Sequence, residues 1–197
     1  MKRLLAIVCA LILPGSAWAA EAVKDTSYLA PDGSRILRDE IVVGAPVPDV
    51  WAAFTTPEGW RTWATPYVTL STPHLAVDAE FESSYHLDAA PGQDTNIHHR
   101  VLAFIPHRMF AFRTVQSPKD FPHPEEVRHV FSVVELEPVD AKHTRVTLSM
   151  LGYGTGPGFD GLYAFFAKGN PWSLGKLAER FDTGPIDWKK TLAKPAH

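Results

Sequence analysis

Histidine and tyrosine are the side chains of this sequence best suited to moving a proton. His99 lies in an alternating segment, Thr95–Ile105, which predicts a β-strand. A second alternating segment, Glu80–Leu87, precedes it, and a turn rich in Gly and Pro joins the two. Pairing of their apolar faces would place Tyr85 opposite His99, where the two could polarise a carbonyl or transfer a proton. In the structural alternative, the two side chains hydrogen-bond to each other in a cavity wall.

The sequence carries no clear signal for a metal, thiol or cofactor site. The chain has nine histidines but no His-Glu-x-x-His motif. Adjacent His98 and His99 point to opposite faces of a strand, so they cannot bind one ion. His86 and His98 share the outward face and form a weak zinc alternative. The single cysteine, Cys9, lies within an N-terminal apolar run. We expect no metal site and no cofactor.

A glycine motif, Gly156-Pro157-Gly158-Phe159-Asp160-Gly161, has the spacing of a dinucleotide-binding fingerprint. That fingerprint requires a βαβ unit with a second parallel strand. The residues after Gly161 predict a helix and a tail instead. We therefore expect these glycines to permit a tight crossover from strand to helix.

The first 19 residues have the organisation of a secretory signal peptide. Lys2 and Arg3 precede an apolar run over residues 4–13, and a small-x-small site ends at Ala19. The run is shorter than the roughly 20 residues that span a bilayer, so no integral membrane span is expected in the mature chain. We predict cleavage after Ala19 and a periplasmic or secreted protein.

The mature chain is modestly acidic. Removing Lys2 and Arg3 from the 19 Lys+Arg, against 22 Asp+Glu, leaves a net charge of −5. A nucleic-acid-binding domain would instead carry a basic stripe, so no nucleic-acid partner is expected.

The mature chain predicts one domain over residues 34–188, between a flexible leader over residues 20–33 and a tail over residues 189–197. A first strand is predicted over Ser34–Val43. Two short helices follow, one beginning near Asp49 and one running to about Trp63. Thr56 and Pro57 have the residue types of an N-cap and a first helical position for the second helix.

Alternation with period two then dominates the chain. The predicted strands are Tyr67–Leu75, Glu80–Leu87, Thr95–Ile105, Met109–Thr114, Arg128–Glu137 and Thr144–Tyr153. The C-terminal part predicts helix in two pieces or one kinked helix, capped at Asp160, interrupted at Gly169 and Pro171, and ending near Phe181. This order predicts an α+β fold in which a curved antiparallel sheet of about six to seven strands wraps around a long C-terminal helix.

The run Pro48–Trp63 resembles the opening of SRPBCC (START/Bet v 1-like, helix-grip) domains. It is most similar to the branch of the activator of Hsp90 ATPase homologue 1. Leu136-Glu137-Pro138 with Thr144–Leu148 resembles the last hairpin of that branch, and Leu174–Gly184 resembles its closing helix. The resemblance implies a helix-grip fold with an apolar cavity between the sheet and the C-terminal helix. The superfold also hosts lipid carriers, hormone receptors, cyclases and co-chaperone modules.

Two features depart from that branch. The chain carries an export signal, whereas Hsp90 and ATP belong to the cytosol. The stretch Gly154–Asn170 before the final helix is also longer than usual and is rich in Gly and aromatic residues. Both features count against a direct co-chaperone role.

The abundant aromatic side chains predict a cavity wall that suits an apolar ligand. The predicted ligand-binding residues are Trp51, Trp63, Tyr67, Phe81, Tyr85, His99, Val101, Phe112, Leu148, Phe166, Trp172 and Leu177. Arg113 and Arg128 are candidates for binding a ligand carboxylate, although arginines on such strands more often point outward.

The leading hypothesis is an exported protein that binds a small apolar or amphipathic molecule without covalent chemistry. A second is a cyclase- or hydratase-like enzyme that uses Tyr85 and His99 as acid and base. A third is a protein-interaction module similar to the Hsp90-activator domain, with a protein partner.

The first prediction concerns export. The mature protein recovered from the exported fraction should begin at Ala20, as read by N-terminal sequencing. An Ala19→Arg variant should stay unprocessed, because signal peptidase requires a small residue there. A mature protein that retains Met1 would contradict the prediction.

Overall fold

The computed structural model describes residues 22–193 as a curved antiparallel sheet closed by a long C-terminal helix. The predicted signal peptide and cleavage site, and residues 194–197 of the predicted tail, lie outside the described residues. The elements are β1 (Lys24–Asp25), β2 (Tyr28–Leu29), β3 (Arg35–Val43), α1 (Val47–Thr55), α2 (Pro57–Arg61), β4 (Tyr67–Leu70), β5 (Glu80–Ser84), β6 (Ile97–Ile105), β7 (Met109–Gln116), a 3₁₀ turn (Glu126–Arg128), β8 (Phe131–Pro138), β9 (Thr144–Leu151), α3 (Pro157–Thr183) and α4 (Trp188–Leu192).

The predicted α+β helix-grip architecture is confirmed. The strands pair in the order β1-β3-β9-β8-β7-β6-β5-β4, and β2 pairs with the start of β3. All of these pairings are antiparallel. The seven longer strands of the described chain match the predicted number, and β1 and β2 are additional. Within residues 22–193, no helix is long and apolar enough to cross a membrane.

The two additional strands lie in the segment that was predicted to be a flexible leader. Lys24 pairs with Glu40, and Tyr28 pairs with Ile36. Between them, the Thr26 amide donates to the Arg38 carbonyl at 2.8 Å. The prediction missed this pairing because the segment is polar and has no period. Backbone hydrogen bonds to the edge of β3 hold it, and they need no side-chain pattern.

Three strands end earlier than predicted, among them β9, which ends at Leu151 instead of Tyr153. β4 ends at Leu70 instead of Leu75, and β5 ends at Ser84 instead of Leu87. Asp78, in the connection between them, has a positive φ of 64° and lies in a turn that the alternation did not reveal. Tyr85 therefore follows β5 and lies outside it.

The predicted cap of α2 is confirmed, and its neighbour α1 begins earlier than predicted. Thr56 Oγ1 accepts a hydrogen bond from the Gly59 amide at 2.9 Å. α1 has Pro46 at its N-cap, and Asp49 lies in its first turn. Gly59 is where α2 meets α1: a Cβ there would lie 2.7 Å from the Cα of Ala53 and would collide with the Ala52 backbone.

α3 is one helix of 27 residues, which agrees with the single-helix alternative and excludes two separate pieces. The predicted cap at Asp160 is wrong. The N-cap is Gly156, whose φ is 105°, and Asp160 lies in the first turn and pairs with Arg35 at 2.7 Å. Pro171 lies inside the helix, where proline costs about 3 kcal/mol. Burial of Leu162 on one side of it and of Leu174 and Leu177 on the other offsets that cost, so packing overrides the local signals.

Part of the predicted tail belongs to α4. Trp188 is 7 % exposed, and its indole Nε1 donates to the Arg61 carbonyl at 2.7 Å. The Asp187 side chain accepts from the Lys190 amide and caps the helix. α4 therefore ties the end of the described chain to α2.

The apolar core has two parts. The main cluster lies between the sheet and the helices and includes Val50, Phe54, Val146, Leu174 and Leu177. The second lies under the N-terminal half of α3 and is formed by Leu37, Val127, Val130, Met150, Tyr153 and Leu162.

The second prediction compares two helical glycines. Gly59→Ala should destabilise the protein by roughly 1–3 kcal/mol, because its methyl group would overpack the contact between α1 and α2. Gly175→Ala, in α3, is the matched control: a Cβ there meets nothing within 4 Å, so the higher helix propensity of alanine should stabilise by about 0.5–1 kcal/mol. Urea unfolding of the two variants measures both values. Equal stabilities would contradict the close approach at Gly59.

Candidate ligand cavity

A cavity of about 380 Å³ lies between the concave face of the sheet and α3. Its wall comes from β5 to β9, from the α1–α2 region, from residues 121–130 and from the middle of α3. The lining residues are Phe54, Trp60, Trp63, Ala64, Thr65, Ser83, Tyr85, Ile97, His99, Phe112, Thr114, Phe121, Val127, Val130, Ser132, Val134, Leu148, Met150, Phe165, Phe166, Gly169, Asn170, Trp172 and Ser173. Most are aromatic or aliphatic, and none is Asp, Glu, Lys or Arg.

Strand alternation explains how the sheet supplies its share of the wall. Successive side chains point to opposite faces, so residues two apart line the same face. Phe112 and Thr114, Ser132 and Val134, and Leu148 and Met150 are such pairs on three neighbouring strands.

His99 is the polar centre of this wall. It is 7 % exposed, and Phe81 stacks on its ring with 4.5 Å between the ring centroids. Its Nε2 lies 3.0 Å from Ser83 Oγ, and its Nδ1 lies 3.4 Å from Thr114 Oγ1. Both ring nitrogens therefore face a hydroxyl group, an arrangement that we call the Ser83–His99–Thr114 relay.

The relay holds a neutral imidazole. Burial, with a smaller contribution from His98, lowers the pKa of His99 to about 3. Neither hydroxyl partner carries a charge that could stabilise an imidazolium. At neutral pH the ring is therefore a hydrogen-bonding group and a weak base.

Tyr85 does not lie opposite His99, and it does not hydrogen-bond to it. The residue paired with His99 on β5 is Phe81. The Tyr85 ring instead makes T-shaped contacts with Trp172 and Trp188, at centroid distances of 6.4 and 6.3 Å. Burial raises the pKa of the Tyr85 phenol, although the side chain keeps 43 % of its surface exposed. Tyr85 thus lies at the rim of the cavity, while His99 lies in its wall.

The other rim residues are also aromatic. Phe165 and Trp172, on α3, are 42 % and 44 % exposed. Phe121, in the loop before the 3₁₀ turn, packs edge to face on Phe165 with 5.3 Å between the ring centroids. An apolar molecule would meet ring faces on entry from this side.

The family of the chain follows from a match over residues 35–182, the segment that builds this cavity. These residues match the family described as polyketide cyclase/dehydrase and lipid transport. The chain belongs to this family. Its membership agrees with the SRPBCC resemblance of the sequence and supports a ligand-binding fold. No curated protein matches the chain.

Solved structures with the same fold come from several bacterial proteins. The Aha1 dimer from Colwellia psychrerythraea aligns with a TM-score of 0.57 and 17 % identity, over 76 % of this chain and 97 % of that one. Protein MLL2253 from Mesorhizobium loti aligns with a TM-score of 0.59 and 20 % identity, over 77 % of this chain and 100 % of that one. CalU16 from Micromonospora echinospora aligns with a TM-score of 0.55 and 17 % identity, over 83 % and 88 %. At these identities the likeness establishes the fold alone.

The structure brings seven of the twelve predicted ligand-binding residues together in this cavity. They are Trp63, Tyr85, His99, Phe112, Leu148, Phe166 and Trp172.

The other five predicted residues lie outside the cavity lining. Phe81, Val101 and Leu177 are buried in the main core. Trp51, on α1, packs near His107, with 5.7 Å between the ring centroids. Tyr67 is on β4, and its buried hydroxyl has no hydrogen-bond partner. Apolar character alone does not distinguish a residue of a cavity wall from a residue of a close-packed core.

Most of the polar residues that line the cavity are not among the predicted ligand-binding residues. Ser83 and Thr114 have a signal, because each lies two residues from a predicted site residue on the same strand face. Phe121 and Asn170 have none, because a loop and a helix bring them to the cavity through long-range packing.

The charged candidates do not reach the cavity. Arg113 and Arg128 are absent from its lining, and Arg113 neighbours the inward-facing Phe112 on β7, so it points to the other face of the sheet. Arg128 is exposed and lies 3.5 Å from Glu125. Within residues 22–193, no group of three or more His, Cys, Asp or Glu side chains could hold a metal ion.

The glycine motif serves packing against the loop that precedes β8. A Cβ at Gly158 would collide with the Glu126 side chain, and one at Gly161 would collide with the His123 ring. The antiparallel sheet also lacks the parallel βαβ unit of a dinucleotide site. These glycines let residues 121–130 lie directly on α3.

A second buried polar group, Asp39, lies on β3 beneath α3. It is 1 % exposed, and its Oδ2 has no hydrogen-bond partner. Burial, reinforced by Asp25, raises its pKa to about 6, and the neighbouring Asn170 amide opposes that rise. Asp39 therefore takes up a proton at a higher pH than an exposed aspartate, at mildly acidic pH.

A larger depression, of about 1,030 Å³, lies on the outer face of the protein. Arg108, Glu135, Glu137 and Pro48 contribute to its lining and are exposed to solvent. Its wall is charged and open, so it offers an apolar molecule far less contact than the inner cavity does.

The third prediction concerns pH. The folded-state pKa of His99 lies below the 6.5 of the unfolded chain, so its contribution to stability is present above pH 6.5 and is lost as the pH falls toward 3. A His99→Gln variant cannot titrate there, so its free energy of unfolding should fall less over that interval, by up to a few kcal/mol. Urea unfolding between pH 7 and pH 4 measures this difference.

An NMR titration of the wild-type histidine ring is the direct control. The His99 resonances should not move between pH 7.5 and pH 5. A titration midpoint near 6.5 would contradict the buried, neutral imidazole.

Proposed function

We propose that this protein binds a small apolar or amphipathic molecule non-covalently in the inner cavity. The observation that carries the proposal is the cavity of about 380 Å³ with an uncharged, largely apolar wall, in which nine of the 24 lining residues are Phe, Tyr or Trp. Pockets of this size and lining are typical of small-molecule sites. A ligand that buries about 300 Å² of apolar surface there would gain roughly 7 kcal/mol before the costs of association, so apolar burial supplies the main driving force.

The same observations favour binding over the acid–base alternative. A histidine whose pKa is about 3 is a poor general base at neutral pH. Tyr85, the proposed acid, contacts two tryptophans at the rim and makes no hydrogen bond to His99.

The predicted signal peptide at residues 1–19 supports action in the periplasm or outside the cell. A compartment outside the cytosol suits a carrier or binding protein and does not suit an Hsp90 partner, which needs cytosolic ATP. The likeness to the Aha1 dimer covers the fold alone, so it does not favour the interaction-module hypothesis. An apolar cavity favours a small ligand over a protein partner.

The fourth prediction tests binding with a fluorescent probe, N-phenyl-1-naphthylamine. Its emission should rise on titration with the wild-type protein, with micromolar affinity. Ser132→Phe should weaken the affinity at least tenfold, because Ser132 lines the cavity on β8 and the new ring would occupy that space.

Glu135→Phe is the matched control, since Glu135 lies on the same strand, is exposed and belongs to the outer depression. It should leave the affinity unchanged. Equal affinities of wild type and Ser132→Phe would show that the probe binds elsewhere. If, in addition, native mass spectrometry of protein from the exported fraction finds no apolar guest, the proposed function is wrong.

A further inference from the structure

The cavity wall lacks any charged side chain. None of its 24 lining residues is Asp, Glu, Lys or Arg, and its one imidazole, His99, has two neutral hydroxyl partners. An ionised carboxylate placed in such a wall would lose its hydration without gaining a counter-charge, which is costly. The wall therefore discriminates against charged ligands.

The relay nevertheless offers a hydrogen bond. A neutral imidazole has one N–H donor and one acceptor nitrogen. If Nε2 carries the proton, it donates to Ser83 Oγ, and the Thr114 hydroxyl donates to Nδ1. The Ser83 hydrogen is then unused. If Nδ1 carries the proton, it donates to Thr114 Oγ1, the Ser83 hydroxyl donates to Nε2, and the Thr114 hydrogen is unused.

Both tautomers therefore leave one O–H donor available. Ser83 and Thr114 both line the cavity, and each hydroxyl has His99 as its hydrogen-bond partner. An unused donor in an apolar wall gains most from a ligand oxygen that accepts it, because an unmade buried hydrogen bond is unfavourable.

The volume sets the size class of the ligand. An apolar cavity of about 150 Å³ accommodates benzene. The cavity of about 380 Å³ here is more than twice as large, so it suits a molecule of two or three fused or linked rings.

We propose that the cavity selects uncharged, multi-ring aromatic molecules that carry a hydrogen-bond-accepting oxygen, and that the free hydroxyl of the Ser83–His99–Thr114 relay binds this oxygen. This inference rests on the proposed function, because it names the chemical class of ligand for the same cavity. It assigns Ser83 and Thr114 as specificity-determining residues.

Three naphthalenes of nearly the same shape test the proposal: 2-acetylnaphthalene, 2-ethylnaphthalene and 2-naphthoate. Each competes with N-phenyl-1-naphthylamine for the wild-type protein at pH 7.5. The ketone should bind about 3- to 10-fold more tightly than the ethyl compound, because it accepts one net hydrogen bond. The carboxylate should bind at least tenfold more weakly than the ketone.

The double variant Ser83→Ala, Thr114→Val removes both relay hydroxyls and nearly preserves side-chain volume. It should abolish the preference for the ketone over the ethyl compound. Thr147→Val is the matched control, since it removes a strand hydroxyl that lines the outer depression and not the cavity, and it should retain the preference. Circular dichroism melts establish that the variants are folded, and the wild-type comparison tests the proposal even if the double variant is not.

The outcomes separate this proposal from the proposed function. Equal binding of ketone and ethyl compound by the wild type would overturn it, as would tight binding of naphthoate or a ketone preference that survives in the folded double variant. If the probe binds in the cavity and none of the naphthalenes competes, this proposal again fails and the binding function stands. If the probe also fails to bind, the proposed function itself is wrong.

Discussion

The attachment of α3 to the sheet at both of its ends is the constraint on which the rest of the structure depends. Leu162 is fully buried in the second core, and Leu174 and Leu177 are almost fully buried in the main core. Between these anchors, the helix crosses the cavity and presents Phe166 and Asn170 to it. A helix held only at one end would close onto the sheet and bury that surface, so the two separated cores are what keep the space open.

Burial disfavours the charged form of the titratable groups around the cavity, for one physical reason. Taking a charge out of water costs several kcal/mol unless a partner compensates for it. The pKa of His99 is lowered and that of Asp39 is raised, so burial shifts both groups toward the neutral form. The charged residues instead lie on the outer face and at strand edges, in pairs such as Arg100 with Glu80 at 2.6 Å. This segregation gives the protein an apolar interior that can still form directed hydrogen bonds.

The family description covers both catalysis and transport on one fold, so the fold does not distinguish between them. The difference lies in which groups line the cavity and in whether they can exchange protons near neutral pH. Here the one imidazole in the wall is stacked on Phe81 and held between two hydroxyls, which suits recognition more than proton transfer. The aromatic rim formed by Tyr85, Phe121, Phe165 and Trp172 is consistent with an apolar guest.

Local sequence signals were sufficient where hydrogen bonds or alternation act over a few residues. They determined the α+β class, the cap at Thr56 and the inward direction of His99, because each depends on nearby backbone geometry. They left two helices or one open at Gly169 and Pro171, where packing gives one, and they missed Lys24–Leu29, which is held by the edge of β3. The same limit applies to the site. An apolar residue such as Val101 or Leu177 has the same character in a packed core as in a cavity wall. Only the tertiary structure decides whether such a residue lines the cavity, because the empty space depends on the distance at which the two cores hold α3 from the sheet.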